Sequence, residues 1–283
     1  KGLLISATGT GKTFAAAFVM KSIGAKRLLF IVHREQIARQ ALETFKTIFG
    51  TSRSYGLLTG KEKNIEADFI FSTVQTISKE DVFKSFNDTH FDEIIIDEVH
   101  RAGADSYLRM MDYFKPTFYL GMTASPDRTD SFNIYELFNN NIVYEVRLKE
   151  AMENSLLCPF HYFGISDLEV DGKVIDELSE FSNLVSNERV EHIISKINYY
   201  GYSGDRVKGL VFCSSKQEAK VLSEEFNTRG YNTTSLTGED SQERREQEIS
   251  KLVANDGDML DYIFTVDIFN EGVDIPEVNQ VIM

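Results

Sequence analysis

Short, continuously apolar runs rich in Ile, Val, Leu and Phe recur along this chain, separated by longer stretches in which apolar residues return at helical spacing. A strand that is apolar at every position is buried on both faces, so the pattern predicts parallel sheets covered by helices, an α/β fold. The first set of runs predicts strands at Leu3–Ser6, Leu28–Val32, Phe69–Phe71, Ile94–Asp97 and Phe118–Thr123. Between them Phe14–Met20, Glu35–Phe49 and Val74–Phe86 read as helices. A second set predicts strands at Phe160–Ile165, Gly209–Cys213, Thr233–Leu236 and Tyr262–Val266, with helices over Ser215–Arg229 and Ser241–Ala254. Two domains follow, 1–150 and 151–283, divided near Glu150 in a mixed stretch that includes the turn-forming Phe138-Asn139-Asn140-Asn141. Ser166–Asn187, with six carboxylates and an Asp171-Gly172 turn signal, reads as a solvated acidic connection, since its spacing does not match a calcium loop.

Composition narrows the class without naming it. A chain of 283 residues with 42% hydrophobic content can build two cores. Cys158 and Cys213 lie far apart with no ligand partners at metal spacing, which argues against a disulfide framework or a zinc site. No apolar run approaches the roughly 18 residues of a membrane span, and Lys1 leads directly into a strand. A cytoplasmic protein with no membrane partner is the expectation. The net charge of −14 is uneven: Lys+Arg and Asp+Glu number 19 each through Glu150, which leaves 11 against 25 afterwards. Such a charge weakens a nucleic-acid reading, although a groove can still be locally positive.

The chemistry starts at Ala7-Thr8-Gly9-Thr10-Gly11-Lys12-Thr13, which lies between the first strand and the first helix. Gly9 and Gly11 let the backbone turn sharply and point its N–H groups inward, while the helix that follows aims its positive end at the same spot. Thr8, Gly9, Thr10, Gly11, Lys12 and Thr13 are therefore candidate phosphate-binding residues, with Lys12 on the β- and γ-phosphates and Thr13 on Mg²⁺. ATP and Mg²⁺ are the implied cofactors. The general pattern is not met in full, because Ser6 stands where its first glycine belongs. A second signature is Ile94-Ile95-Ile96-Asp97-Glu98-Val99-His100, an apolar strand ending in two acids. A buried parallel strand delivers its C-terminal end to the ligand edge of the sheet, so Asp97 is a candidate Mg²⁺ ligand and Glu98 a candidate base for the attacking water. Taken alone, Asp97-Glu98-Val99-His100 also fits a strand terminus with solvated acids.

With these two elements, the chain closely resembles the superfamily-two helicases of the DExH-box group, which includes restriction-enzyme motor subunits. The resemblance rests on an ordered series: Ala7–Thr13, His33-Arg34-Glu35, Ser72-Thr73-Val74-Gln75, Asp97–His100, Gly121–Pro126, Val211–Ser215 and Glu271–Pro276. It implies two tandem RecA-like domains with ATP in the cleft between them, and hydrolysis coupled to movement along a nucleic-acid backbone. DNA is the implied polymer and RNA the alternative; a nucleotide-switched clamp that does not unwind is a further reading. The resemblance assigns coupling to His100, Thr123 and Ser125, nucleotide contact to Gly272 and Asp274, and backbone contact to Arg34, Ser72, Thr73, Gln75, Ser214 and Ser215.

Plainer readings stay open for several of these. Thr123 and Ser125 also fit local capping after a strand, and Asp274-Ile275-Pro276 fits a turn. Ser72-Thr73-Val74-Gln75 and Ser215-Lys216-Gln217-Glu218 both match a helix capping box. Arg244 and Arg245 fit surface ion pairs as well as a family element. The family's last signature, which supplies arginine fingers worth about 10³–10⁵ in rate, has no match before Met283. The expectation is an internal piece of a longer enzyme, with any nuclease domain or subunit outside it and weak hydrolysis on its own.

Overall fold

The computed structural model describes residues 1–101, 105–126, 133–165, 168–170, 173–175, 186–269 and 275–283. The chain divides into two compact units, Lys1–His161 and Tyr162–Met283.

In the first unit the strands are β1 (Gly2–Ser6), β2 (Leu28–Val32), β3 (Tyr55–Leu58), β4 (Phe69–Thr73), β5 (Glu93–Ile96), β6 (Phe118–Thr123) and β7 (Ile142–Val146). They form one parallel sheet in the order β3-β4-β2-β5-β6-β1-β7. Side chains alternate across it, as the period of two requires. Leu3, Ile5, Leu29, Ile31, Ile70, Ile94 and Ile96 enter one core, while Leu4, Leu28, Phe30, Phe69, Phe71 and Ile95 enter the other. The second core is closed by α1 (Lys12–Ser22) and α2 (Glu35–Phe49), through Ala16, Ala17, Met20, Ala38, Ala41 and Phe45. Phe45 meets Phe30, Phe69 and Phe71 edge-on, with centroids 5.5, 6.1 and 5.4 Å away. The first core is covered by α3 (Val74–Ile77), α4 (Glu80–Phe83), α5 (Asp105–Tyr113) and α6 (Ile134–Leu137).

Two features of this unit depart from the sequence pattern. Val74–Phe86 is not one helix but two, broken where Lys79 turns extended. Ile77 and Phe83 both enter the same core, and on an unbroken helix they would point about 120° apart. The division of the chain also falls later than Glu150. Helix α7 (Leu148–Glu153) packs Ala151 beside Ala7 and Val146, which ties the segment after β7 to the first sheet.

The second unit opens with a two-stranded antiparallel ribbon, β8 (Leu168–Val170) and β9 (Lys173–Ile175), inside the segment read as an irregular connection. Helix α8 (Asn187–Tyr200) follows, then β10 (Gly209–Phe212), α9 (Lys216–Thr228), β11 (Thr233–Leu236), α10 (Gln242–Val253), β12 (Tyr262–Thr265) and β13 (Gln280–Ile282). The sheet is parallel, in the order β11-β12-β10-β13. Val211 and Phe264 pack against α8 and α9 on one face, and Leu210 and Ile263 pack with Leu252 of α10 on the other. Phe160–Ile165, expected as a strand, pairs with no strand among the described residues. Its apolar side chains lie exposed, and Phe163 stacks on Tyr200 at 4.1 Å.

Candidate active site

All strands of the first sheet run the same way, so their C-terminal ends share one edge. Three strand ends meet there in adjacent positions: β1 with its glycine loop, β6 with Thr123-Ala124-Ser125, and β5 with Asp97 and Glu98. The register Ile5↔Thr123 puts Thr123 beside the start of the loop. Gly121 in β6 is required by packing, because a Cβ there would lie 2.5 Å from the Phe138 ring.

The loop is shaped by its glycines and by two hydroxyls. Gly9 and Gly11 have φ of 83° and 79°, in the left-handed region that other residues enter only at a cost. The Thr10 hydroxyl donates to Ala7 O at 2.7 Å and therefore accepts from Ser6 Oγ at 2.6 Å. Ser6, the departure from the general pattern, thus ties the first and middle parts of the loop together. Lys12 turns back over the same loop, its Nζ donating to Ser6 O at 3.1 Å and Ala7 O at 3.2 Å. Thr13 follows in the first turn of α1, and Thr8 is exposed on the loop.

Across the edge, Asp97 takes the Glu98 backbone N–H on Oδ1 at 3.0 Å. Burial, and then the neighbouring Glu98 charge, push its carboxyl up to about 6, against the opposing pull of Lys12. Glu98 itself has φ 50°, a left-handed backbone for a residue with a side chain, which costs about 1 kcal/mol or more. His100 Nδ1 lies 3.2 Å from Glu98 Oε2 and 3.0 Å from Thr123 Oγ1. The Thr123 hydroxyl, fully buried, also accepts the Ser125 N–H at 3.1 Å. Thus Glu98, His100, Thr123 and Ser125 form a continuous polar chain from the end of β5 to the turn after β6.

The residues expected to touch a polymer divide by exposure. Arg34 and Gln75 are exposed at the ends of β2 and β4. Ser72 is fully buried, and its hydroxyl donates to Leu58 O at 2.8 Å. It cannot cap a helix, because β4 runs on to Thr73 and Ser72 is still in register with both Ile31 and Leu58. Thr73 stands at the helix start without a side-chain cap, its hydroxyl bonded to Thr76 at 2.9 Å. In the second unit Ser215 does cap α9, accepting the Glu218 N–H at 3.1 Å. Arg244 forms a surface pair with Asp240 at 2.5 Å, whereas Arg245 donates to Thr237 O and Gly238 O, both at 3.0 Å. Gly272 and Asp274 lie outside the described residues. No cluster of three or more potential metal ligands occurs among the described residues, and no helix there is long and apolar enough to cross a membrane.

Two family models cover most of the chain in order. One, described as the type III restriction enzyme res subunit, matches residues 1–128; the other, the helicase conserved C-terminal domain, matches residues 188–283. The chain belongs to the superfamily-two helicases of the restriction-motor type. It is 25% identical to the putative ATP-dependent helicase IRC3 of Saccharomyces cerevisiae, over 98% of this chain and 42% of that protein. It is 29% identical to the type I restriction enzyme EcoAI endonuclease subunit of Escherichia coli, over 78% of this chain and 30% of that protein. The chain therefore spans less than half the length of these relatives. A fragment of a putative HsdR subunit of a type I restriction enzyme from Vibrio vulnificus has the same fold, with a TM-score of 0.69 at 23% identity over 98% of this chain and 52% of that one. The two parallel sheets are accordingly two RecA-like domains.

Proposed function

We propose that this chain is the motor part of an ATP-dependent nucleic-acid helicase or translocase that acts on DNA. The observation that carries the proposal is the meeting of Lys12, Asp97 and Glu98 at one sheet edge, with Thr123 on the strand between them. The residues fit Mg-ATP. The loop has glycines at both positions that need positive φ, and Asp97 lacks enough positive charge around it to hold its carboxyl in the usual range. A divalent cation held by Thr13 and Asp97 would supply that charge and draw electron density from the terminal phosphate.

The chain's own groups do the rest. Lys12 leaves its two carbonyl partners to meet the β- and γ-phosphates, while the N–H groups of Thr8–Thr13 surround them. Glu98 orients a water and takes its proton. A proton on His100 Nδ1 faces two acceptors, Glu98 and Thr123, and can serve one well at a time. That competition gives the coupling between hydrolysis and the turn at Ser125 a physical form. Gly272 and Asp274 are further candidates for nucleotide contact, and Arg34, Thr73, Gln75 and the Ser214–Ser215 turn for the polymer backbone. DNA is preferred because restriction-enzyme subunits stand among the relatives. The test is ATP hydrolysis without polymer and with single-stranded DNA, duplex DNA or RNA. Stimulation by DNA above RNA is expected; none by any polymer rejects the motor.

A further inference from the structure

Helix α7 ends in a turn that carries the chain onto the glycine loop. Its Ala151 carbonyl accepts the Leu156 N–H at 2.8 Å and the Leu157 N–H at 3.2 Å, and Ser155 takes φ 57°, the left-handed conformation that closes many helices. The turn lays Leu157 against Ala7, Val146 and Ala151. Ala7 opens the loop, and its N–H donates to Val146 O at 3.0 Å. Leu157 reaches further: a Cβ at Gly9 would lie 3.1 Å from Leu157 Cδ2. The leucine thus fills the space beside the bare α-carbon of Gly9, whereas a Cβ at Gly11 would meet no atom within 4 Å among the described residues.

The loop is therefore held in two ways. One hold is polar: Lys12 Nζ bonds Ser6 O and Ala7 O, and those bonds are given up when the lysine turns to phosphate. The other is apolar, made by Leu157 on Ala7 and Gly9 through dispersion contacts for which no phosphate competes. Glycine has more conformational freedom to lose than any other residue, so a loop with two positive-φ glycines gains from a support that aims its N–H groups before the ligand arrives. Leu157 is half-buried while its neighbours Leu156 and Cys158 are exposed, so of these three residues it is the one that supplies the support.

We propose that Leu157 is a positioning residue for ATP binding: it holds Gly9, and with it the N–H groups of Thr8–Thr13, in the conformation that receives the phosphates. Leu157 lies far along the chain from the loop and touches no reacting atom; it acts through Gly9. This rests on the reading of the loop as the ATP site. It also separates two adjacent leucines of the same chemistry, since Leu156 has no part in it.

The test compares the full-length wild-type protein with Leu157→Ala, Leu157→Met and, as a control, Leu156→Ala. Titration with a fluorescent ATP analogue gives the affinity, polymer-stimulated hydrolysis gives KM and kcat, and a melting curve without nucleotide reports folding. Leu157→Ala is expected to weaken the analogue about fivefold and to raise KM for ATP by a similar factor, with kcat within about twofold of wild type. Leu157→Met conserves the volume and is expected to restore the affinity to within about twofold, and Leu156→Ala to stay within the same bound. If Leu157→Ala fails to fold, Leu157→Val serves instead, with weakening of about threefold expected. A folded Leu157→Ala whose affinity and KM match wild type, or whose kcat falls with KM unchanged, overturns the proposal alone, as does a Leu157→Met no better than Leu157→Ala. No binding of the analogue by the wild-type protein overturns the ATP-site reading, and this inference with it.

Discussion

Each unit places an acid near the end of a buried parallel strand, and the two acids are treated in opposite ways. Asp97, after β5, is buried and stands beside a second carboxylate with one backbone N–H to offset them, so its carboxyl is pushed up to about 6. Glu218, after β10, receives a backbone N–H, a hydroxyl and a guanidinium. The first acid is short of positive charge and the second is supplied with it. An acid that the protein leaves uncompensated is ready for a ligand, whereas one whose partners are all internal holds the scaffold.

The largest test of this contrast is Glu98→Gln. Polymer-stimulated ATP turnover of the full-length protein is expected to fall by about 10²–10⁴-fold while ATP binding persists. An unchanged turnover removes Glu98 from its role.

Next in size is the independence of the two cores. Phe45 and Phe226 are both fully buried among other rings, and Phe45→Ala and Phe226→Ala should each cost about 3–5 kcal/mol. Hydrogen exchange should lose protection mainly within residues 1–161 for the first and 162–283 for the second. Equal loss in both units would contradict the division.

The smallest effects concern two acids at the other end of the first sheet. Glu93 is buried with Oε2 unpartnered, and burial, followed by Asp92, raises its pKa. Its raised value gives stability that is present at acid pH, below the ordinary carboxylate range, and is lost as pH rises through the folded pKa. Glu93→Gln should therefore raise the melting temperature at pH 7 and not at acid pH. Asp68 is the opposite case: its pKa is lowered by the Ser54 backbone N–H and hydroxyl, both donating at 2.9 Å. Its contribution is present above the ordinary range and lost as pH falls through the lowered value, so Asp68→Asn should lower the melting temperature at pH 7 and lose that effect at acid pH. Melting curves across this range that show the same sign for both variants would dissolve the distinction.

Much of this was legible in order of local signal. The Leu28–Val32 and Phe118–Thr123 strands, the Glu35–Phe49 helix and the glycine loop all carry their cause within a few residues. Tyr55–Leu58 and Ile142–Val146, the two edge strands, carry weaker local signals: the first is buried but only four residues long with a glycine at its second position, and the second is exposed at four of its five positions. The expected strand at Phe160–Ile165 shows the reverse error: an apolar run makes no ladder unless a strand lies beside it, and among the described residues none pairs with this one. Ser72 and Ser215 carried the same capping pattern, yet only Ser215 caps. The difference is that Ser72 is still held between two neighbouring strands.

The sequence by itself determined the α/β alternation, the loop at Ala7–Thr13 and the acids at Asp97 and Glu98, because strand burial and backbone turning depend on neighbours along the chain. Tertiary structure decided which polar groups remain available. His100 reaches Thr123, Lys12 reaches Ser6 and Ala7, and Glu218 takes the Ser214 proton because strand order and helix packing bring them within hydrogen-bond distance. A hydroxyl has one proton to give, and where it goes is settled by the nearest well-placed acceptor.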